Sequence, residues 1–489
     1  MGVTADFPDI QPAYRGNPHA AELIAKLSSG GDARITLDPE TGLNRYLSAP
    51  YPRRTLAFAS STANDMSAQA FDHLLALQGS GTPDYAEQLA GLGWRVLATY
   101  GVTSAANVVF APSGTDLEFV ALAAVAGRGA AGTHNILLGA DEVGSGCIHS
   151  AQGHYFAGET ALGVATRPGD PVAGLGPVSL VDIPVRSSDG EALVSEDVAR
   201  QIRAELVIAR DQDRHALLHV VHGSKTGLIL PKLREIDLLR QEFGDGMTLV
   251  VDACQARITS QAVRDYLDRD AIVFVTGSKF MGGPPFSGMA LVPASVISRA
   301  APLPAGFATL FRRAEWGEGW DGREQLEDSA NAGLALRLEA SVFELERFQA
   351  LAFAEVERVI HAFQRAIVAQ LVEGQGFSMV RPYPSGREAQ ATDYPLEMQT
   401  LATLDISRHP QARSFDEAQS LYRSLDRLGL RLGQPVKCVR LPEGGWGGTL
   451  RVGLSMPQVT ELAALSDAEL AAVMAERIGR FAEALSVPA

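Results

Sequence analysis

Seven short apolar runs, each rich in β-branched residues or leucine and bounded by turn formers, constrain the fold most. They read "NVVFAP", "NILLGA", "VSLVDIPV", "ALLHVVHG", "MTLVVDA", "AIVFVTG" and "GMALVP". Helical segments separate them, among them "DLEFVALAAVAG", "EDVARQIRAELVIAR" and "PKLREIDLLRQEFG". Strands that are apolar throughout cannot leave a face in water. Joined by helices, they imply a mostly parallel sheet covered on both sides, an α/β fold.

The rest of the chain divides around this region. Residues 1–65 carry little periodicity and many turn formers, as in "SAPYPRR" and "FASSTAND", and read as an irregular arm. Residues 66–330 form the large α/β domain. A long helical stretch, "NAGLALRLEASVFELERFQALAFAEVERVIHAFQRAIVAQLVEG", then opens a smaller α+β C-terminal domain, 331–489. A length of 489 residues leaves ample material for both. The formal charge of −15 argues against nucleic-acid or anionic-membrane partners, which need a basic face. Three widely spaced cysteines, Cys147, Cys254 and Cys438, suggest a reducing compartment rather than a disulfide framework. With no membrane-length apolar run and no signal-like start, a cytoplasmic location is expected.

In an open α/β sheet, ligands collect at the carboxyl ends of the strands, and four strand ends here carry polar groups. "FAPSGTDLEF" runs from a strand through Ser113, Gly114 and Thr115 into a helix, an arrangement suited to an anion as well as to simple capping. "TLVVDACQAR" ends on Asp252, with Gln255 three residues later. "HVVHGSKTG" crowds His222, Ser224 and Thr226 together, and "VTGSKFMGGPPFSG" places Thr276 and Ser278 beside Lys279. The chain has only five lysines (Lys26, Lys225, Lys232, Lys279, Lys437) and uses arginine for surface charge. A lysine kept at a buried strand end points to chemistry, because its amine can lose a proton where guanidinium cannot. The plainer reading is an ammonium reaching out of the strand end to water.

An amine, a carboxylate and an anion site suit pyridoxal phosphate, which needs a Schiff base, a protonated ring nitrogen and a phosphate seat. In "SGT", "HGSKTG", "VDACQ" and "TGSKFMGGPPFSG", taken in order and with 27 positions from Asp252 to Lys279, the chain resembles the fold type I pyridoxal-phosphate enzymes. The likeness is to their class V aminotransferase and cysteine desulfurase branch, over roughly residues 70 to 460. It implies a homodimer with shared active sites, acting on an amino acid or small amine, with Lys279 forming the aldimine and Asp252 pairing with the ring nitrogen. It further implies Ser224 and Gln255 near the ring's phenolic oxygen, and Ser113, Gly114, Thr115, Thr276 and Ser278 around the phosphate. Ser329 or Asn331 would reach the neighbouring subunit's phosphate. Arg451, in "GGTLRVGLS", would grip the substrate carboxylate, with His222 as a second substrate contact.

One departure stands out. The family usually stacks a histidine or another aromatic on the ring, but the matching place falls on Val143 or Gly144, leaving His149, His154 or Tyr155 to supply a ring. An aminotransferase is the first expectation. A lyase or desulfurase is the alternative, with Cys438, 13 residues before Arg451, as its thiol. A non-catalytic homologue is a third, disfavoured because a scaffold has no use for a buried amine and carboxylate. No metal site is expected: Cys147, His149 and His154 lack a further ligand pair at suitable spacing.

Overall fold

The computed structural model describes residues 7–79, 84–140, 142–144, 146–386 and 394–486. In chain order its strands are β1 (Leu56–Phe58), β2 (Ala106–Ala111), β3 (Thr133–Leu138), β4 (Val178–Ile183), β5 (His215–His222), β6 (Ile229–Leu230) and β7 (Met247–Asp252). They continue with β8 (Ile272–Thr276), β9 (Gly288–Pro293), β10 (Ser378–Val380), β11 (Leu401–Asp405), β12 (Leu430–Leu432) and β13 (Thr449–Gly453). All seven apolar runs lie in one sheet, ordered β2-β9-β8-β7-β5-β3-β4, with β6 folded back on the end of β5. Alternation sorts the side chains onto two cores. Leu218, Val220, Val251 and Val273 pack on one face, and Leu217, Val250, Ile272 and Phe274 on the other.

The sheet is parallel except at β6 and at β9, which runs antiparallel to both β2 and β8. Chain length explains the reversal at β9. Residues 277–287 between β8 and β9 form a turn with no helix, too little chain for a parallel crossover. The register sets Thr276 opposite Gly288 and Gly288 opposite Ala111, so β8 and β2 end side by side. Gly288 is required there, since a Cβ would lie 2.7 Å from the Ser113 carbonyl oxygen.

The C-terminal region builds a three-stranded antiparallel sheet, β10-β11-β13. The long helical stretch is broken into Ala332–Gln349 and Phe353–Ile367. The second helix starts afresh because the Glu355 carboxylate accepts from the Ala352 amide, 2.9 Å.

The arm is tied into both regions. Its helix Pro18–Leu27 starts at Asn17, whose side chain accepts from the His19 and Ala20 amides, with proline in the first turn. Leu23, Ile24 and Leu27 pack with Phe71, Leu74 and Ala340. Gly333 lets the arm close in, since a Cβ there would lie 2.3 Å from the Ser29 carbonyl oxygen. Fully buried Arg337 then donates to the carbonyls of Leu27 (3.0 Å), Ser29 (2.6 Å) and Phe286 (2.8 Å). At the arm's far end, β1 pairs in parallel with β12.

Phe58, fully buried in β1, stacks on Phe363 at 5.9 Å and meets Phe481 edge-on at 5.8 Å. Phe58→Ala should therefore cost roughly 3–5 kcal/mol of stability, read as lowered thermal and denaturant midpoints. Leu238→Ala, at a side chain 56% exposed, should stay within about 0.5 kcal/mol of the parent.

Candidate functional site

The parallel strands bring Ser113, Asp252 and Thr276 to one edge of the sheet, and Lys279 follows β8 by one turn. Its Nζ donates to the Thr62 carbonyl of the arm. Asn64 fixes the turn from outside, donating to the carbonyls of Ser278 (3.0 Å) and Lys279. Loss of hydration, then the positive charges of Arg451, Lys225 and Arg257, bring the Lys279 amine from its ordinary 10.5 down to about 7. The partly neutral amine follows first from burial and then from the cations around it.

Asp252 closes β7, and its Oδ1 accepts from the Cys254 amide at 2.9 Å. Burial raises its carboxyl above the ordinary value, while that amide, Lys225 and Lys279 pull the other way. Behind it lie two buried groups, Glu118 of helix Leu117–Val125 and His219 of β5, 3.4 Å apart. Burial raises the Glu118 carboxyl well above its usual range and brings His219 down to about 3, in each case favouring the neutral form.

The residues expected around a phosphate converge. Ser113, Gly114 and Thr115 form the turn into helix Leu117–Val125. The amides of Gly114 and Thr115 meet no backbone acceptor among the described residues, which suits the start of this helix to an anion. Gly114 is close-packed: a Cβ would lie 3.0 Å from Thr276 Cγ2. The Thr276 hydroxyl donates to the Cys254 carbonyl (2.7 Å) and lies 3.2 Å from the Ser278 hydroxyl.

Arg451, 2% exposed on β13, reaches the same place from the C-terminal sheet. Its guanidinium donates to the carbonyls of Gln434 (2.8 Å), Ser61 (3.0 Å) and Lys225 (3.2 Å) and to the Thr62 hydroxyl (3.0 Å). Burial lowers it to about 10. Gln255 bridges the arm and a second buried arginine, donating to the Ser61 carbonyl (3.3 Å) and accepting from Arg257 (2.9 Å).

Other expected residues are engaged elsewhere. The Ser224 hydroxyl donates to the buried Glu142 carboxylate, 2.8 Å, which also accepts from Thr226 and pairs with Arg186. His222 sits on the opposite face of the sheet from Asp252, its Nδ1 3.0 Å from the Tyr266 hydroxyl. Asn331 caps helix Ala332–Gln349 and donates to the Gly30 carbonyl (2.9 Å), while Ser329 accepts from Arg312 (3.1 Å). At the place of the missing aromatic, Gly144 faces Cys147, whose sulfur would lie 2.8 Å from an added Cβ. The Tyr155 hydroxyl shares a hydrogen bond with Thr309, and His149 is exposed.

Sequence reasoning missed Thr62, Asn64, Glu142, Arg186 and Arg257. "FASSTAND" had no periodicity to mark it, and Glu142 and Arg186 read as ordinary loop charges. A buried arginine three residues after the "VDACQ" aspartate-to-cysteine turn was the one available signal.

No family model matches the chain, and no curated protein matches it. Solved structures do. Ureidoglycine–glyoxylate aminotransferase from Bacillus subtilis is similar at 12% identity, covering 89% of this chain and 98% of that one, with a TM-score of 0.53. A cysteine desulfurase from Escherichia coli is similar at 13% identity over 87% and 95%, TM-score 0.51. Pyridoxamine–pyruvate aminotransferase from Mesorhizobium loti is similar at 17% identity over 89% and 97%, TM-score 0.50. With its largely parallel sheet, smaller C-terminal sheet and strand-end lysine, the chain has the fold of the fold type I pyridoxal-phosphate-dependent transferases.

Proposed function

We propose that the protein binds pyridoxal 5′-phosphate at Lys279 and is an aminotransferase for an amino acid or small amine. One observation carries the reading. An amine brought to about 7, a buried carboxylate and a helix-terminal turn with open amides meet at one strand edge. The residues fit the group: Lys279 for its carbonyl carbon, Asp252 for its ring nitrogen, and Ser113, Gly114, Thr115, Thr276 and Ser278 for its phosphate. When bound, the cofactor supplies an electron sink that weakens bonds to the substrate's α-carbon.

The chain's own residues do the rest. Asp252 would face the ring nitrogen and share its proton there, its carboxyl raised by burial and drawn back by the Cys254 amide, Lys225 and Lys279. Lys279, whose amine near neutrality can both accept and give a proton, moves it at the substrate carbon. Arg451 binds a carboxylate through a guanidinium already oriented by Ser61, Thr62 and Gln434. The arm segment carrying Ser61, Thr62 and Asn64 excludes water from the lysine. Homodimerisation, with Ser329 or Asn331 serving the neighbouring subunit, belongs to the same proposal.

The desulfurase alternative is the weaker one. Cys438 is 3% exposed, and burial pushes its thiol up to about 12, so it holds no thiolate at neutral pH. In the deciding experiment the loaded enzyme receives an amino donor without acceptor. One equivalent of oxo acid per bound cofactor, with no sulfide or ammonia, is expected, unchanged in Cys438→Ser. Arg451→Ala should raise the donor's KM strongly. Sustained ammonia or sulfide release would reject transamination in favour of a lyase or desulfurase.

Borohydride should fix the cofactor covalently to Lys279, and a peptide map placing it on Lys225 instead would overturn the assignment. Asp252→Asn should retain the cofactor yet lose well over tenfold in kcat, more than ~1.4 kcal/mol on the barrier.

The lysine also sets a pH dependence. The folded chain releases its proton near pH 7 and the unfolded chain near 10.5, so burial of Lys279 costs most below pH 7 and nothing above 10.5. In the ligand-free protein, acylation of Lys279 should rise with a midpoint near pH 7. Lys279→Met should raise the melting temperature more at pH 6 than at pH 10.

A further inference from the structure

The phosphate turn raises a question of charge. Ser113, Gly114, Thr115, Thr276 and Ser278 are all neutral, whereas a phosphate monoester carries nearly two negative charges at neutral pH. A carboxylate also adjoins the turn: Asp116, 7% exposed, accepts from the Ser113 hydroxyl. Burial raises Asp116 to about 6 even without a phosphate beside it. Arg451, Lys225 and Arg257 are the cations that surround the Lys279 amine. A phosphate seated here needs a cation of its own.

The geometry points to Arg34, delivered by the N-terminal arm, as the cation that binds the cofactor's phosphate. This rests on the cofactor reading above. One edge of the guanidinium forks onto Asp32, with Nε to Oδ1 at 2.8 Å and Nη2 to Oδ2 at 2.6 Å. The other edge faces the turn, with Nη1 to Thr115 Oγ1 at 3.2 Å and Nη2 to Ser113 Oγ at 3.3 Å. The short fork sets the orientation. The long pair to neutral hydroxyls is the weak one, which an anion can replace with charge-assisted bonds.

Two rings hold the guanidinium in place, Phe156 at 5.1 Å and Phe286 at 5.0 Å from its carbon. Phe286 adopts a φ of 72°, unfavourable for a bulky residue, and its carbonyl accepts from Arg337. Arg337 also fixes the carbonyls of Leu27, Ser29 and Gly30, just before Asp32. The side chain of Asp32 accepts from the Arg34 amide (2.9 Å), closing the turn that aims Arg34 inward. A plain surface ion pair would need neither the rings nor the strained backbone. A half-buried cation directed at a neutral anion seat accounts for both.

The test compares two ligands that differ only in the phosphate. Ligand-free protein is titrated with pyridoxal phosphate and with pyridoxal, following absorbance and tryptophan fluorescence. In Arg34→Met, pyridoxal phosphate should bind roughly thirtyfold or more weakly, the loss of one or two charge-assisted bonds. Pyridoxal should bind within about threefold of the parent, and inorganic phosphate should stop competing with the cofactor. Arg34→Lys, which keeps the charge and loses the fork, should fall between. Because Arg34→Met leaves Asp32 buried and unpaired, the double variant Asp32→Asn/Arg34→Met serves as the folding control and should show the same selectivity loss. Equal weakening of both ligands, or unchanged affinity for pyridoxal phosphate, would sink the inference and leave the cofactor reading standing. A parent protein that binds neither ligand would overturn both.

Discussion

Two arginines held by backbone carbonyls underlie the arrangement of this molecule. Arg337 and Arg451 are buried, and neither makes a salt bridge to a carboxylate among the described residues. A guanidinium in that position is tolerable only if its donors are all directed at acceptors. Many of the acceptors are groups of the N-terminal arm, carbonyls of residues 27–30 for Arg337 and the Ser61 carbonyl and Thr62 hydroxyl for Arg451, with Phe286, Gln434 and Lys225 supplying the rest. The arm is therefore pinned at both ends by the helix and strand that carry these side chains. Because carbonyls neutralise no charge, the cationic field of Arg451 persists into the site and contributes to the low proton affinity of Lys279. Anchoring and acid–base tuning come from the same residue.

The carboxylates are sorted by environment in a complementary way. Glu142 keeps its charge because Arg186 and the hydroxyls of Ser224 and Thr226 surround it, against the cost of burial. Glu118, beside His219, has its carboxyl pushed well above the usual range by burial. Asp252 lies between these extremes, buried yet within the field of two lysines. Burial thus acts on all three acids, and the charged and polar groups beside each decide how far its carboxyl moves.

The sheet was legible because most of its long strands are apolar on both faces, as in Met247–Asp252 and Ile272–Thr276, and the edge strand Val178–Ile183 still carries a short apolar run. The strand-end residues Ser113, Asp252, Thr276 and Lys279 were legible because a parallel sheet places all such ends on one edge. His222 shows the limit of that reasoning. A strand end fixes the edge, but the alternation along β5 decides the face, and it turns His222 toward Tyr266. The break between Gln349 and Phe353 escaped notice because "QALAF" carries neither glycine nor proline, and the one signal is Glu355, two residues beyond it, placed to cap the next helix. The arm contacts were beyond reach for a simpler reason. Thr62 and Asn64 meet partners more than two hundred residues away, and no local periodicity encodes such a meeting.

The bond between Arg451 and Thr62 spans 389 positions of the chain. During synthesis, the segment from β1 to Asn64 leaves the ribosome long before β12 and β13 exist to receive it. Until translation is nearly finished, Lys279 lacks Arg451, one of the cations that lower its proton affinity, and its amine remains closer to an ordinary lysine. The strand that carries Arg451 is thus the last to be made, and it completes the surroundings of an amine laid down about 170 residues earlier.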